Sequence, residues 1–196
     1  MAHAVTPARP SKSSIKEKFL ELYRVKPLSQ ISIRELADAC NLSRSTFYFY
    51  FEDINALYKD CEQDALKYME SHLPDFVIYT VARNANRYID SIVKHMQMLQ
   101  LQANLFSCLL TGSESSSFRK QWFDMIYYNC QKTINCSNVT SPEERENLTR
   151  FFAAGKLDIL TNWILSGCKQ SPESVARISA QILFQGVYGQ DIGSIN

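Results

Sequence analysis

The side chains best suited to contact another molecule lie in one short segment of the N-terminal quarter. Arg44, Ser45 and Thr46 come first, and Tyr48 and Tyr50 follow. A guanidinium group can donate two parallel hydrogen bonds to the edge of a guanine, and small hydroxyl groups near a helix start can reach base edges. Tyrosine hydroxyls can donate to phosphate oxygens. The segment therefore has the donors that nucleic-acid recognition requires, provided that one helix presents them together.

Two short helices must position this segment. Ser32 and Glu35 match a capping box, and the apolar spacing that follows predicts a helix. Asn41 can adopt the left-handed conformation that ends a helix, and Ser43 can cap the next one. Another capping box at Ser14 predicts a helix before these two. Two helices about three residues apart predict a helix-turn-helix unit.

The rest of the chain has the pattern of an all-α protein. Glycine and proline number six each among 196 residues, and apolar positions recur at helical spacing, so we expect about nine helices and no strand. Ser141 and Ser171 each precede a proline and a glutamate, which predicts the starts of two C-terminal helices. We expect a flexible basic arm over residues 1–13, a helix-turn-helix domain over 14–60 and a larger helical domain over 61–196.

Charge and motifs restrict the function. Residues 1–51 carry a net charge of +4 and the other 145 residues −3, which favours a local phosphate-binding surface near the N-terminus. Because there is no apolar run of membrane-spanning length and no signal-peptide core, we expect a cytoplasmic protein without a membrane partner. The six cysteines show no paired spacing, and no nucleophile elbow, phosphate-binding glycine loop or HExxH motif occurs. We expect no enzyme activity, catalytic residue, metal site or cofactor.

The segment from 31 to 51 resembles the N-terminal domain of the TetR family of transcriptional regulators. The C-terminal run from 151 to 167, with Gly155 and Trp163, is similar to the eighth helix of many members. The matching N-terminal anchors are Ser32, Leu36, Ala37, Thr46, Tyr48, Tyr50, Phe51 and, six residues further on, Leu57.

The resemblance implies a recognition helix that enters the major groove of double-stranded DNA. Arg44 is the best candidate for a guanine contact, and Phe49 could pack on a thymine methyl group. The full set of expected DNA contacts is Ser32, Arg34, Arg44, Ser45, Thr46, Tyr48, Phe49, Tyr50 and, on the arm, Lys12.

One position departs from the family pattern and leaves a second interpretation open. Ile54 stands where many members have a lysine that contacts phosphate, and Glu52 and Asp53 precede it. The alternative is therefore an interaction protein on the same fold, which binds a protein partner instead of DNA. The basic arm and the intact anchors favour the DNA-binding regulator.

The resemblance further implies a homodimer on a palindromic operator, acting as a repressor and released by a small-molecule inducer that moves the fourth helix. Few charges interrupt the middle helices, so we expect a largely apolar or aromatic effector. The pocket candidates, each of which could instead be plain core, are Tyr88, His95, Met96, Phe106, Trp122, Tyr127 and Phe152. The expected dimer contacts, for which core packing within the chain is the alternative, are Leu160, Trp163, Ile164, Ile178 and Ile182.

Overall fold

The protein is nearly all helix in a computed structural model that describes residues 11–71, 83–134 and 141–187. Within these ranges the chain forms nine α-helices and no strand, which confirms the all-α prediction. Residues 1–10 of the predicted arm lie outside the described residues, as does Cys136. The other five cysteines are free thiols.

Four helices form an N-terminal unit and five form a C-terminal unit. A 3₁₀ turn at Leu28–Gln30 precedes the second helix, and a π-helical segment at Ile182–Val187 continues the last one. The α-helices are α1 (Lys12–Tyr23), α2 (Ile33–Ala39), α3 (Arg44–Tyr50), α4 (Ile54–Glu70), α5 (Ala85–Leu101), α6 (Ala103–Thr111), α7 (Ser115–Ile134), α8 (Pro142–Leu165) and α9 (Pro172–Gln181).

Helix α1 begins earlier than the sequence predicts. The hydroxyl oxygen of Ser11, rather than that of Ser14, is the N-cap, and it accepts a hydrogen bond from the Ser14 amide at 3.2 Å. The added turn brings Lys12 beside Asp60 of α4, where their side chains form an ion pair at 2.9 Å. Lys12 therefore belongs to a helix and not to a flexible arm, because a cap and a partner on α4 both fix it.

The turn between α2 and α3 has the predicted conformation. Asn41 adopts a left-handed φ of 52°, and the Leu42 amide donates to the carbonyl of Ala37 at 2.9 Å. The Asn41 amide donates to the Asp38 carbonyl at 3.1 Å, which completes a Schellman motif. The hydroxyl oxygen of Ser43 then accepts from the Thr46 amide at 3.1 Å and opens α3.

An aromatic cluster forms much of the core of the C-terminal unit. Phe106 packs against both Phe118 and Trp122, with ring centroids 6.3 and 5.8 Å away. Helix α7 runs against α8, and α9 packs on α5. Ser141 and Ser171 cap α8 and α9 as the sequence predicts. The apolar core is continuous with that of the N-terminal unit, so the two units pack as one body.

Candidate nucleic-acid interface

Two aromatic side chains hold α3 against the N-terminal unit. Phe47 is fully buried and Phe51 nearly so, and their ring centroids lie 5.9 Å apart. Phe47 lies inside this seven-residue helix and Phe51 is its C-cap residue, so the two rings fix the middle and the end of α3. The opposite face of α3 is left at the surface.

The exposed face of α3 carries the predicted recognition residues. Arg44, Ser45 and Tyr48 are exposed, and Phe49 is exposed by 82%. The Tyr50 ring is half-buried and meets Phe49 edge to face at 5.1 Å. A large aromatic ring in solvent adds little to the fold, and therefore this face is available to a partner.

The first turn of α3 has a cluster of three hydroxyl groups. The Ser43 oxygen lies 2.7 Å from that of Ser45 and 2.8 Å from that of Thr46. A shallow groove opens beside them, lined also by Asn41 and Phe49. Hydroxyl groups can both donate and accept hydrogen bonds, so these three can pair with the acceptors and donors on the base edges of a nucleic-acid groove.

The residues predicted on α2 lie at its exposed surface. Ser32 caps the helix and accepts from the Glu35 amide at 3.2 Å. The Glu35 carboxylate does not complete the predicted capping box, because it pairs with the ammonium group of Lys26. Arg34 is exposed and lies 3.9 Å from Asp38 on the same helix. Exposed pairs at this distance are weak, so the guanidinium can exchange partners readily.

Two of the three lysines of α1, Lys12 and Lys16, contact acids of α4. Lys12 also places its ammonium group 5.3 Å from the centre of the Phe51 ring. Lys16 contacts both Asp60 and Asp64. Burial alone would lower the pKa of Lys16, but the hydrogen bonds to these carboxylates raise it. Burial alone would likewise raise the pKa of Asp60, and the bonds from Lys16 and Lys12 lower it.

The departure at the start of α4 has a structural explanation. Ile54 is buried as the first residue of α4, and Asp53 accepts from the Ala56 amide at 2.7 Å as its N-cap. The isoleucine therefore anchors α4 in the core, and one of the two neighbouring acids is needed for the cap. Glu52 is exposed.

The predicted pocket residues do not share one cavity. His95 and Trp122 line a cavity between α5, α7 and α8, and Phe152 lines a separate groove between α8 and α9. Met96 and Phe106 are fully buried core residues that line neither of these two spaces.

The two tyrosines among the pocket candidates also lie elsewhere. Tyr88 is buried and meets Phe184 edge to face at 5.4 Å. The Tyr127 hydroxyl donates to Glu146, which raises the pKa of the tyrosine. Helical spacing alone could not separate cavity-lining side chains from core, because both follow the same apolar pattern. Lys156 lines both spaces. Its sequence position gives no indication of this, because a lysine has neither the apolar nor the aromatic character by which the pocket residues were predicted.

The expected dimer residues fall into two groups. Trp163 and Ile164 are buried inside the chain, and the Trp163 indole donates to the carbonyl of Gln170 at 2.8 Å. They are therefore core residues of the protomer and not surface contacts. Ile178 and Ile182 are exposed by 44% and 43%, and Leu160 is half-buried.

Both halves of the chain match known regulators. Residues 20–61 match the family model described as "Bacterial regulatory proteins, tetR family", and residues 86–185 match "Transcriptional regulator C-terminal region". The second match alone spans more than half of the chain. Fold and matches together define a transcriptional regulator with an N-terminal helix-turn-helix. The chain belongs to the TetR family.

Individual relatives are distant in sequence. An uncharacterized HTH-type transcriptional regulator of Bacillus subtilis (strain 168), YxbF, is 19% identical over 186 residues, which are 93% of this chain and 48% of that protein. The chain thus spans about half the length of this curated relative.

Several solved structures share the fold, each with a TM-score of 0.61. The dihydroxyacetone kinase operon activator DhaS is 17% identical, over 90% of this chain and 95% of that one. The fatty acid degradation regulator FadR from Bacillus halodurans is 12% identical, over 92% and 98%. NalD, the secondary repressor of the MexAB-OprM multidrug efflux pump in Pseudomonas aeruginosa, is 14% identical, over 90% and 95%.

Two kinds of feature are absent from the described ranges. No helix there is both long and apolar enough to cross a bilayer. No three histidine, cysteine or acidic side chains come together there as a metal site would need.

Proposed function

We propose that this chain is a ligand-responsive repressor that binds palindromic operator DNA as a homodimer. The observation that carries the proposal is the solvent-facing side of α3, where Arg44, Tyr48 and Phe49 project while Phe47 fixes the helix from behind. A single helix fits the major groove, and this face offers both hydrogen-bond donors and an apolar ring to base edges.

Each exposed residue has a distinct role in this proposal. Arg44 donates to a guanine, Phe49 packs on a thymine methyl group, and Ser45 donates to a neighbouring base. Tyr48 contacts a phosphate, and the free amides at the start of α2 beside Ser32 do the same. The phosphate contacts position α3, and the base contacts provide the sequence preference.

An outward-facing apolar surface on α8 and α9 supports the homodimer. Phe151 is exposed by 68%, and Ile159, Ile178 and Ile182 follow on the same side of the C-terminal unit. In a two-fold dimer the same surface of each subunit meets its copy, so these side chains would be buried together. Two copies of α3 would then face successive turns of one DNA duplex.

The cavity between α5, α7 and α8 is the proposed effector site. Ile92, Trp122, Met125 and Leu160 line it, and polar groups come from His95, Asn129 and Lys156. These walls suit a largely apolar or aromatic effector. Binding would favour a conformation in which α4 carries α3 out of register with the operator, and release follows from the difference in affinity between the two states.

A specific observation also favours the second candidate, an interaction protein that binds no DNA. Five cations of the N-terminal unit pair with carboxylates, namely Lys12, Lys16, Lys18, Lys26 and Arg34. Each pair reduces the positive charge that phosphates would meet. Within the described ranges no carboxylate lies in ion-pair contact with Arg44, so the base-reading position keeps its charge.

The test is selection of a binding site from random duplex DNA, followed by mobility shifts at two salt concentrations. We expect binding that weakens with salt, and Arg44→Ala should reduce affinity by about 5- to 150-fold, equivalent to about 1–3 kcal/mol. Lys120→Ala is the matched control, since this exposed cation on α7 pairs with Asp124 along its own helix. Its affinity should equal that of the wild type.

Repression is tested with a reporter whose promoter contains the selected site. Expression should fall when the chain is produced and should stay high with Arg44→Ala. A folded, dimeric protein that selects no DNA sequence at low salt would refute the operator proposal and favour the protein-partner alternative. Increased reporter expression would identify an activator instead.

A further inference from the structure

One short turn between α6 and α7 makes several of the hydrogen bonds that link the two units. The Tyr23 hydroxyl of α1 accepts a hydrogen bond from the Glu114 amide at 3.0 Å, and the Tyr58 hydroxyl of α4 lies 3.1 Å from the Glu114 carbonyl. The Ser113 hydroxyl accepts from the Leu28 amide at 3.2 Å. Two helices and the 3₁₀ turn of the N-terminal unit are thus bonded to a turn of three residues.

Gly112 allows Tyr23 to pack against this turn. A β-carbon at residue 112 would lie closer than 3.0 Å to Cζ, Cε1 and Oη of the Tyr23 ring. The backbone of Gly112 has φ −68° and ψ 169°, which any residue can adopt, so the glycine is required by the close approach and not by its conformation. The Tyr23 ring cannot move aside freely, since Phe19 stacks on it at 5.6 Å and Tyr58 meets it edge to face at 5.4 Å.

A buried carboxylate extends the contact to α7. Glu62 is buried on α4, where Oε1 accepts from the Tyr58 hydroxyl at 2.9 Å and Oε2 lies 3.4 Å from the Gln121 amide nitrogen. Burial and the hydrogen bond to Glu62 raise the pKa of Tyr58, so the tyrosine keeps its proton and remains a donor. Buried polar groups of this kind tolerate few alternative geometries, because each must keep its partner.

We propose that Gly112, Tyr23 and Tyr58 form a joint that fixes the orientation of the N-terminal unit on the C-terminal unit and thereby sets the half-site separation of the operator. The inference rests on the proposed function, since half-sites have meaning only for a dimeric DNA-binding protein. The joint holds α1 and α4, which carry α2 and α3. The dimer surface lies on α8 and α9, so any tilt at the joint changes the distance between the two copies of α3.

The geometry of DNA makes this orientation measurable. Each added base pair increases the distance between two half-sites by about 3.4 Å and rotates one half-site by about 34° relative to the other. A rigid joint can satisfy only one separation, whereas a loosened joint accepts several. Half-site separation is therefore a readout that depends on orientation and not on the base contacts of α3.

The first measurement needs no DNA and uses the full-length dimer. Both tryptophans, Trp122 and Trp163, lie in the C-terminal unit, so their fluorescence reports its unfolding, whereas circular dichroism reports every helix. In the wild type the two thermal transitions should coincide. In Gly112→Ala the circular dichroism transition should begin about 5 °C or more below the fluorescence transition, because the N-terminal unit is released.

The second measurement varies the separation of selected half-sites from −2 to +2 base pairs (about 7 Å either way). The affinity of the wild type should fall about tenfold for each base pair of change, whereas the affinity of Gly112→Ala should vary less than about threefold over the same range. Both proteins should bind an isolated half-site equally well. Lys120→Ala is the control, since this exposed cation on α7 lies outside the joint and outside the proposed dimer surface, and it pairs with Asp124 of its own helix.

Tyr58→Phe keeps the inference testable if Gly112→Ala does not fold. It removes one hydroxyl without adding an atom and should broaden the accepted separations in the same direction, by a smaller factor. Coincident transitions and an unchanged separation preference in the folded variants would overturn the joint. Absence of DNA binding by the wild type would instead refute the proposed function and the separation role together, with the unfolding comparison still deciding whether the joint couples the two units.

Discussion

Helix α3 and the aromatic cluster in the core of the C-terminal unit use aromatic side chains in opposite ways. Phe47 of α3 and the C-cap residue Phe51 are buried, while Tyr48 and Phe49, between them in sequence, are exposed. In the C-terminal unit the rings of Phe106, Phe118 and Trp122 all turn inward and pack on one another. A seven-residue helix cannot be stable alone, so α3 depends on its caps and on two anchors to present its other side chains. Long helices are stabilised by the apolar faces that they bury.

The first prediction separates anchor from exposed face within α3. Phe47→Ala should reduce the free energy of unfolding by about 3–5 kcal/mol, because it empties a fully buried site, and Phe49→Ala should change it by less than about 0.5 kcal/mol. Urea unfolding measures both. Phe49→Ala should nevertheless weaken binding to the selected DNA. Equal losses of stability would show that Phe49 packs within the protein and would remove the contrast between the two faces.

The second prediction concerns the turn that orients α3. Asn41 has a left-handed φ of 52°, so Asn41→Ala should destabilise the protein by about 1–2 kcal/mol, whereas Asn41→Gly should be neutral or slightly stabilising. Chemical denaturation of the three proteins gives the comparison. If alanine were tolerated as well as glycine, the left-handed conformation would not be what the turn requires.

The third prediction compares the helix caps of the two units. Ser43→Ala should cost about 1 kcal/mol, because α3 has only two turns and the cap satisfies Thr46 at 3.1 Å. Ser141→Ala should cost about 0.5 kcal/mol, since its bond to Glu144 is longer, at 3.4 Å, and Pro142 also starts α8. Thermal melts of both variants test this order, and a reversed order would contradict the view that α3 depends most on its ends.

The smallest expected effect is a pH dependence of the contact between α1 and α4. The pKa of Asp60 is held below its ordinary value of 3.8 in the folded protein, so the stabilisation is present above that value and is lost as the pH falls through the lower, folded pKa. The pair is partly exposed, which limits the effect to a few tenths of a kcal/mol. Urea unfolding midpoints are measured at pH 5 and pH 2.5 (about one unit on either side of the ordinary value). The fall in midpoint between these two pH values should be smaller in Asp60→Asn than in the wild type. An equal fall would assign the acid sensitivity to other carboxylates.

Local signals predicted the N-terminal unit well because its structure is largely local. Ser32, Asn41 and Ser43 act within four residues of themselves, and all three cap or end helices as the sequence indicates. The predicted start of α1 is wrong by one turn, because serine caps a helix equally well at residue 11 or residue 14. Only the ion pair between Lys12 and Asp60 of α4 favours the longer helix.

The sequence by itself determined the helical class, the helix-turn-helix and the residues exposed on α3, since capping, turn conformation and apolar spacing act between near neighbours. Tertiary structure alone decided which apolar side chains line a cavity. It also placed Met96 and Phe106 in the core and buried Trp163 inside the protomer. It also brought Gly112 against Tyr23 across 89 positions of sequence. Such a contact leaves no local signal in the sequence, because a glycine that makes room for a ring distant in sequence looks like any other glycine until the fold brings the two together.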